Sequence, residues 1–296
     1  MICPSVSAAA HGLRPAPRLR RRMLSTCAVA ILLAASAAGQ ARAADWLDDT
    51  LRGSYTSSGP VRWDGIHFGV TMGLSNMGTD FGNSSSQLIA YSLRNTTVQN
   101  EFQPSSWTTL PSNTTNGRQY GAFIGYNMQW SELVLGFDVS YIKPSTLEAS
   151  ASDTIARQVT TSSLVNQALT ITAQSSLKLI DYATVRARAG YAYGQFLPYA
   201  VLGAAVGRFN YATTATVHDV GTPLPGSTVM PFDTLDTQSS SKNGAITAGF
   251  VVGLGMDVAI TPNIFLRGEW EYVGFAAISG IRAGLNTGRV GVGMRF

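Results

Sequence analysis

Leu133-Val134-Leu135-Gly136-Phe137-Asp138-Val139-Ser140-Tyr141 places a large apolar side chain at every odd position. Between them fall Gly136, Asp138 and Ser140, with Val134 the one apolar exception. Alternation with period two is the mark of a strand whose two faces meet different surroundings. The stretch is also about as long as a tilted strand must be to cross a bilayer, roughly 9–11 residues.

The same pattern recurs through the chain. Ile66, Phe68, Val70 and Met72 alternate with His67, Gly69, Thr71 and Gly73. Tyr120, Ala122, Ile124 and Tyr126 alternate with Gln119, Gly121, Phe123 and Gly125. Val185, Ala187, Ala189 and Tyr191 stand opposite Thr184, Arg186, Arg188 and Gly190. A fifth segment runs over 197–211, where both registers alternate; turning Arg208 inward places Tyr199, Val201 and Phe209 outward. Phe250, Val252, Leu254 and Met256 oppose Gly249, Gly253, Gly255 and Asp257, and Ile264, Leu266, Trp270 and Tyr272 oppose Arg267, Glu269 and Glu271. The eighth sets Val290, Val292, Met294 and Phe296 against Arg289, Gly291, Gly293 and Arg295.

Short connections (127–131, 193–196, 260–263) alternate with long polar ones (75–118, 143–176, 211–243), rich in Ser, Thr, Asn and Gly. Short turns on one rim and long loops on the other define an all-β expectation: an eight-stranded antiparallel up-and-down transmembrane β-barrel with long extracellular loops. The composition of those loops suits solvated, mobile surface segments. A soluble sandwich also alternates, but its outer face carries many charges of both signs. Here only 13% of residues are charged, and those on strands share a face with glycines. Tyr120, Tyr126, Tyr141, Tyr191, Tyr199, Trp270 and Tyr272 fall near strand ends, where an interfacial aromatic girdle belongs.

The start of the chain reads as an export signal. Arg14, Arg18, Arg20, Arg21 and Arg22 precede the apolar run from Cys27 to Ala35, and Ala41-Arg42-Ala43 supplies small residues for cleavage after Ala43. That apolar run is too short to span a bilayer as a helix. The expected organisation is a signal peptide (1–43), a polar periplasmic segment (44–62) and the barrel (63–296). The leader holds six of the 21 Lys and Arg and none of the 17 Asp and Glu, so the mature chain carries 15 against 17, a net charge of −2. The basic balance therefore belongs to the leader and implies no nucleic-acid partner. Both cysteines, Cys3 and Cys27, go with it, which removes disulfide and thiolate chemistry.

Several segments resemble the porin-like outer-membrane proteins of alphaproteobacteria, eight-stranded barrels that include major surface antigens. They are Trp63-Asp64-Gly65-Ile66-His67-Phe68-Gly69, Gly136-Phe137-Asp138, the run from Thr184 to Ala192, Leu197-Pro198-Tyr199, the run from Leu266 to Tyr272, and the run from Arg289 to Phe296. The resemblance covers the chain from about Trp63 to Phe296 except the loops. It implies residence in the outer membrane of a Gram-negative bacterium, with outer-membrane lipid and lipopolysaccharide as surroundings. It also implies an assembly signal at Val292, Met294 and Phe296, read by the barrel-assembly machinery. The loops do not match, so no loop ligand follows from it.

The inward set is His67, Asp138, Arg186, Arg188, Arg208, Asp257, Arg267, Glu269, Glu271, Arg289 and Arg295. An eight-stranded barrel is just wide enough to be filled by side chains, so these form either a salt-bridged plug or the lining of a narrow polar pathway. The two classes of function left open are a structural or surface-interaction role in the envelope and a small passive channel for polar solutes. Enzyme chemistry finds little footing: only His67 and His218 survive processing, and His218-Asp219 sits in a long loop without a recognisable nucleophile. No catalytic, cofactor or metal site is expected. The glycines of Gly249-Phe250-Val251-Val252-Gly253-Leu254-Gly255 belong to a strand rather than to a dinucleotide loop.

Overall fold

The computed structural model describes residues 61–296; the leader and nearly all of 44–62 lie outside the described residues. Nine antiparallel strands follow in order: β1 (Gly65–Asp80), β2 (Asn113–Trp130), β3 (Leu133–Pro144), β4 (Glu148–Thr160), β5 (Val165–Tyr191), β6 (Phe196–Pro223), β7 (Phe232–Ala259), β8 (Ile264–Phe275) and β9 (Arg282–Arg295). All except β4 join a closed ring. β1 pairs with β9 from His67↔Arg295 to Asp80↔Arg282, and β3 pairs with β5 from Leu133↔Tyr191 to Ile142↔Tyr182. Closure leaves the barrel wall no free edge, which a lipid-embedded sheet requires because lipid offers no hydrogen bonds to open backbone. Among the described residues no helix is long and apolar enough to cross a membrane; the crossing is made by strands.

The outer wall is apolar. Val70 is 58% exposed and Met72 67%, and Ile66, Phe68, Ile124, Phe137, Val185, Leu254 and Val292 are exposed with them. In water such a surface would be an aggregation liability; against acyl chains it is the stable arrangement. Tyr120, Tyr126, Tyr141, Tyr191 and Trp270 lie on this outer surface, joined by Trp130 and Tyr193 at the short-turn end. Tyr199 does not: it is buried inside the barrel.

Beyond the barrel the structure departs from the sequence expectation. The segments 143–176 and 211–243 are mostly strand, broken by connections at 145–147, 161–164 and 224–231. β5, β6 and β7 run for 27, 28 and 28 residues, far past membrane length, and β4 adds to the distal half of β5 from Glu148↔Lys178 to Thr160↔Asn166. The result is a four-stranded sheet, β4-β5-β6-β7, standing on one side of the barrel as a head. Its residues explain the extension: Leu169, Ile171, Ala215 and Val217 supply a buried apolar face, and the intervening threonines suit a solvated pleat. Two bulges mark the passage from barrel to head. Pairing steps from Leu179↔Phe209 to Asp181↔Arg208 in β5, and from Phe209↔Ala245 to Tyr211↔Lys242 in β7. At the second, Gly244 adopts φ +70° and its N–H donates to Asn210 Oδ1 at 2.8 Å, a backbone conformation that favours glycine.

The connection between β1 and β2 is also folded. It forms two short helices, α1 (Ser86–Ser92) and α2 (Thr97–Phe102), followed by a 3-10 turn (Pro104–Ser106). The Thr96 hydroxyl caps α2 by accepting from Gln99 N–H at 3.3 Å. Neither helix is long enough to persist alone, so packing must hold them. Ile89, Leu93 and Val98 bury against Leu169, Ile171, Ala215 and Val217 of the head sheet. Ile171→Asp places an uncompensated charge in this fully buried cluster, a change on the order of 3–5 kcal/mol. Limited proteolysis should then cut between residues 81 and 112, while the barrel keeps its heat-modifiable mobility on gels. Unchanged protease resistance would show that the helices do not depend on this face.

Candidate functional site: a sealed charge belt

The interior of the barrel is stratified. At the short-turn end Trp63, Phe123, Val134, Leu197 and Phe265 form one apolar cluster. Toward the head Met77, Ile142, Tyr182, Phe209, Val273, Phe275 and Leu285 form a larger one. Between them lies a belt of charge contributed by β1, β3, β5, β7, β8 and β9, fixed by the pleat that turns alternate residues inward.

Asp138, completely buried, is the hub of one half. Its Oδ1 lies 2.7 Å from His67 Nε2, and its Oδ2 accepts from Arg267 Nη1 at 3.1 Å and Arg186 Nη2 at 3.5 Å, with Arg188 Nη1 at 4.0 Å. Gly125, in register with Asp138, leaves the space this cluster occupies: a side chain there would meet Asp138 and His67. Arg267 also forks onto Asp257, Nε to Oδ1 at 2.9 Å and Nη2 to Oδ2 at 3.0 Å, and Arg188 donates to the same Oδ2. In the other half Arg186 Nη1 donates to Glu269 at 2.5 Å and Glu271 at 2.7 Å. Arg289 donates to both carboxylates as well, and the Tyr199 hydroxyl donates to Glu269 Oε2 at 2.9 Å. Arg188 packs over the Tyr199 ring at 3.7 Å and Arg267 over Phe123 at 4.0 Å.

Four carboxylates (Asp138, Asp257, Glu269, Glu271) thus meet four guanidiniums (Arg186, Arg188, Arg267, Arg289), and the belt is neutral within itself. Arg295 stands apart at the short-turn rim, donating to Pro262 O at 2.7 Å and lying over Trp63 at 4.4 Å. The partner of Arg267 is Asp257 rather than a residue of β9, whereas Arg289 faces Glu269 in register.

Arg208 is the one residue of the sequence set that does not enter the lumen. β6 runs in the opposite register to the one expected: Leu197, Tyr199, Val201 and Phe209 point inward, and Leu202 and Val206 face lipid. Arg208 is on the outer wall beside the first bulge, paired with Asp181, whose Oδ2 also accepts from the Tyr141 hydroxyl at 3.1 Å. The register follows from polar partners rather than from apolar burial, since lipid would hold the apolar groups equally well: inside, the Tyr199 hydroxyl reaches Glu269, and outside, Arg208 reaches Asp181. The inward set read from the sequence omits the apolar seals; parity points to Phe265, between the outward Ile264 and Leu266, and Phe123 stands on the inward face. His218-Asp219 is likewise a strand pair and not a loop: exposed His218 meets Asp233 Oδ1 at 2.7 Å, while Asp219 turns to the opposite, buried face. Among the described residues no group of three or more His, Cys, Asp or Glu is placed to hold a metal ion.

A closed ring of eight strands with an apolar exterior and a packed interior defines a transmembrane β-barrel of the bacterial outer membrane. The family model described as outer membrane protein beta-barrel domain matches residues 27–296, and the chain belongs to that family. Solved structures similar to it include Ail, the attachment invasion locus protein of Yersinia pestis, at 14% identity over 79% of this chain and 99% of that one, TM-score 0.31. Neisserial surface protein A is 16% identical over 77% and 97%, TM-score 0.30. The N-terminal barrel domain of Pseudomonas aeruginosa OprF is 14% identical over 76% and 97%, TM-score 0.27. Likenesses this distant carry no weight for role. No curated protein matches the chain.

Proposed function

We propose that this protein is a non-enzymatic envelope protein of the porin-like alphaproteobacterial type, in which a closed barrel anchors an extracellular head that makes the surface contacts. The observation that carries this reading is the sealing of a self-neutralised charge belt between two apolar clusters. A solute path would need water beside those charges, and aromatic side chains close both ends. The channel reading has the mixed lining in its favour but lacks a mouth. His67 is buried against Asp138, out of reach of a substrate, which also supports a non-enzymatic role. Lipid and lipopolysaccharide would contact the outer wall, the barrel-assembly machinery would recognise β9 through Val292, Met294 and Phe296, and the net charge of −2 favours no nucleic acid.

Planar-bilayer recording of the refolded protein is the test. The wild type is expected to show no steady conductance. Steady ohmic current from wild-type protein would overturn the anchor reading and establish the channel.

A further inference from the structure

The head holds a second polar site, remote from the charge belt. A cavity of about 300 Å³ opens between the end of α1, the 161–165 turn and the face of the sheet that carries Gln167, Asp219 and Asp236. Gln167 pairs with Gly221 and Leu169 with Asp219, so Gln167 and Asp219 are diagonal neighbours on this face. Both residues are only 7% exposed, and Asp219 Oδ1 and Gln167 Oε1 have no hydrogen-bond partner among the described residues. Asp236 is different: its Oδ2 accepts from the Ser92 hydroxyl at 2.6 Å, and Gln238 Nε2 lies 3.1 Å from both its oxygens.

No Lys, Arg or His lines the cavity. Arg94 is not among the lining residues; it donates to Tyr91 O at 2.9 Å and lies over the Tyr91 ring at 4.0 Å, and its charge acts on Asp236 rather than Asp219. His218 occupies the other face of β6, paired with Asp233, and Glu101 of α2 accepts from Ser162 N–H at 3.1 Å outside the cavity. The site is therefore a small acidic chamber with unmatched acceptors at Asp219 and Gln167 and no basic side chain in its lining. Leaving a buried carboxylate oxygen unpaired is costly, and a donor bearing positive charge recovers most of that cost. A calcium ion would need six to eight oxygen ligands, which one free carboxylate and one amide do not supply.

We propose that this cavity binds a primary ammonium group, with Asp219 as its counter-ion and Gln167 as a second acceptor, supplied by a free alkylamine or by a lysine side chain presented on a partner. The inference rests on the reading of the head as the interacting part of the protein and names the chemistry it would take. Burial pushes the Asp219 carboxyl up to about 6, with His218 opposing the shift. The ligand-free site is thus half protonated near that pH, and an ammonium should bind more weakly below it than above.

Calorimetric titration of the refolded full barrel in detergent tests this, with 1,4-diaminobutane and N-acetyl-Ala-Lys-Ala-amide as probes and glucose as the neutral control. Saturable binding of at least one amine and none of glucose is expected, weaker at about pH 5 than at about pH 7.5. Binding of the diamine alone identifies a free amine as the source, and binding of the peptide as well identifies presented lysine. Asp219→Asn, which keeps the shape of the side chain, should lower affinity about tenfold or more, and Leu235→Ala, an exposed uncharged position on the opposite face, should leave it unchanged. Absence of saturable binding by both amines, or equal affinity in Asp219→Asn, would overturn the proposal. Either result leaves the anchor reading to stand or fall on the bilayer recording.

Discussion

Asp138→Ala is expected to lower the unfolding free energy of the barrel by about 3–5 kcal/mol, the cost of leaving buried charge uncompensated. Asp138 is the carboxylate on which His67, Arg186 and Arg267 converge from three other strands, with Arg188 nearby. Its removal leaves four guanidiniums against three carboxylates between the two apolar clusters. Asp138→Asn keeps much of the shape and some hydrogen bonding but not the charge, and should fall between wild type and alanine. Adding Arg267→Met to Asp138→Ala restores the balance of charge, so the double variant should be less destabilised than the two single changes summed. Denaturant unfolding in detergent, followed by tryptophan fluorescence, measures the wild type and the four variants, Arg267→Met alone included. Asp233→Ala in the head is the control, since that aspartate is exposed and meets only His218. A midpoint for Asp138→Ala equal to that of wild type would mean that water reaches the belt, and would weaken the sealed interior on which the anchor reading depends.

How far the sequence could be read follows from where alternation keeps its phase. Over the middle of β1, β2, β3, β8 and β9 the outward residues are mostly large and the inward ones mostly small or charged, so parity separates the faces there despite inward aromatics such as Phe123 and Phe265. In β6 both faces are apolar, with Tyr199, Val201 and Phe209 on one and Leu202 and Val206 on the other, so only Arg208 distinguishes them in the sequence, and it points out. The aromatic seals are hard to see for a related reason: parity turns Phe265 inward, while a rule that sends apolar groups to lipid argues against it.

The head was obscured by the bulges. In β5 the buried positions are Leu169, Ile171, Ala173 and Leu177 above the bulge but Tyr182, Thr184, Arg186 and Arg188 below it, a change from odd to even. A period-two reading begun at Thr184 therefore loses phase at Ile180 and reports the end of a strand. Asn243 and Gly244 have the same effect in β7. Beyond those points the abundance of Ser and Thr imitates a loop, although Val217 and Asp219 continue the inward parity of β6 and place a carboxylate on a buried face.

Deletion of Phe296 should separate assembly from stability. The residue follows β9 at the seam with β1, where its N–H donates to Ile66 O at 2.9 Å and its ring stacks on Phe68 with centroids 5.7 Å apart and planes 12° from parallel. One hydrogen bond and one aromatic pair together contribute about 1–3 kcal/mol. The remaining β1–β9 pairing is long, from His67↔Arg295 to Asp80↔Arg282, so a purified chain without Phe296 should still refold into a closed barrel with that modest loss. In the cell the expectation is different. If Val292, Met294 and Phe296 present the outward face that the assembly machinery reads, the deletion should leave most of the protein unfolded and protease-sensitive. Phe296→Tyr, which keeps the ring and its stacking, should assemble nearly as well as wild type. Heat-modifiable mobility of membrane-extracted and refolded samples, run side by side, reports both quantities. Parallel losses in the two settings would reduce Phe296 to a seam contact, and normal assembly in cells would remove it from the signal altogether.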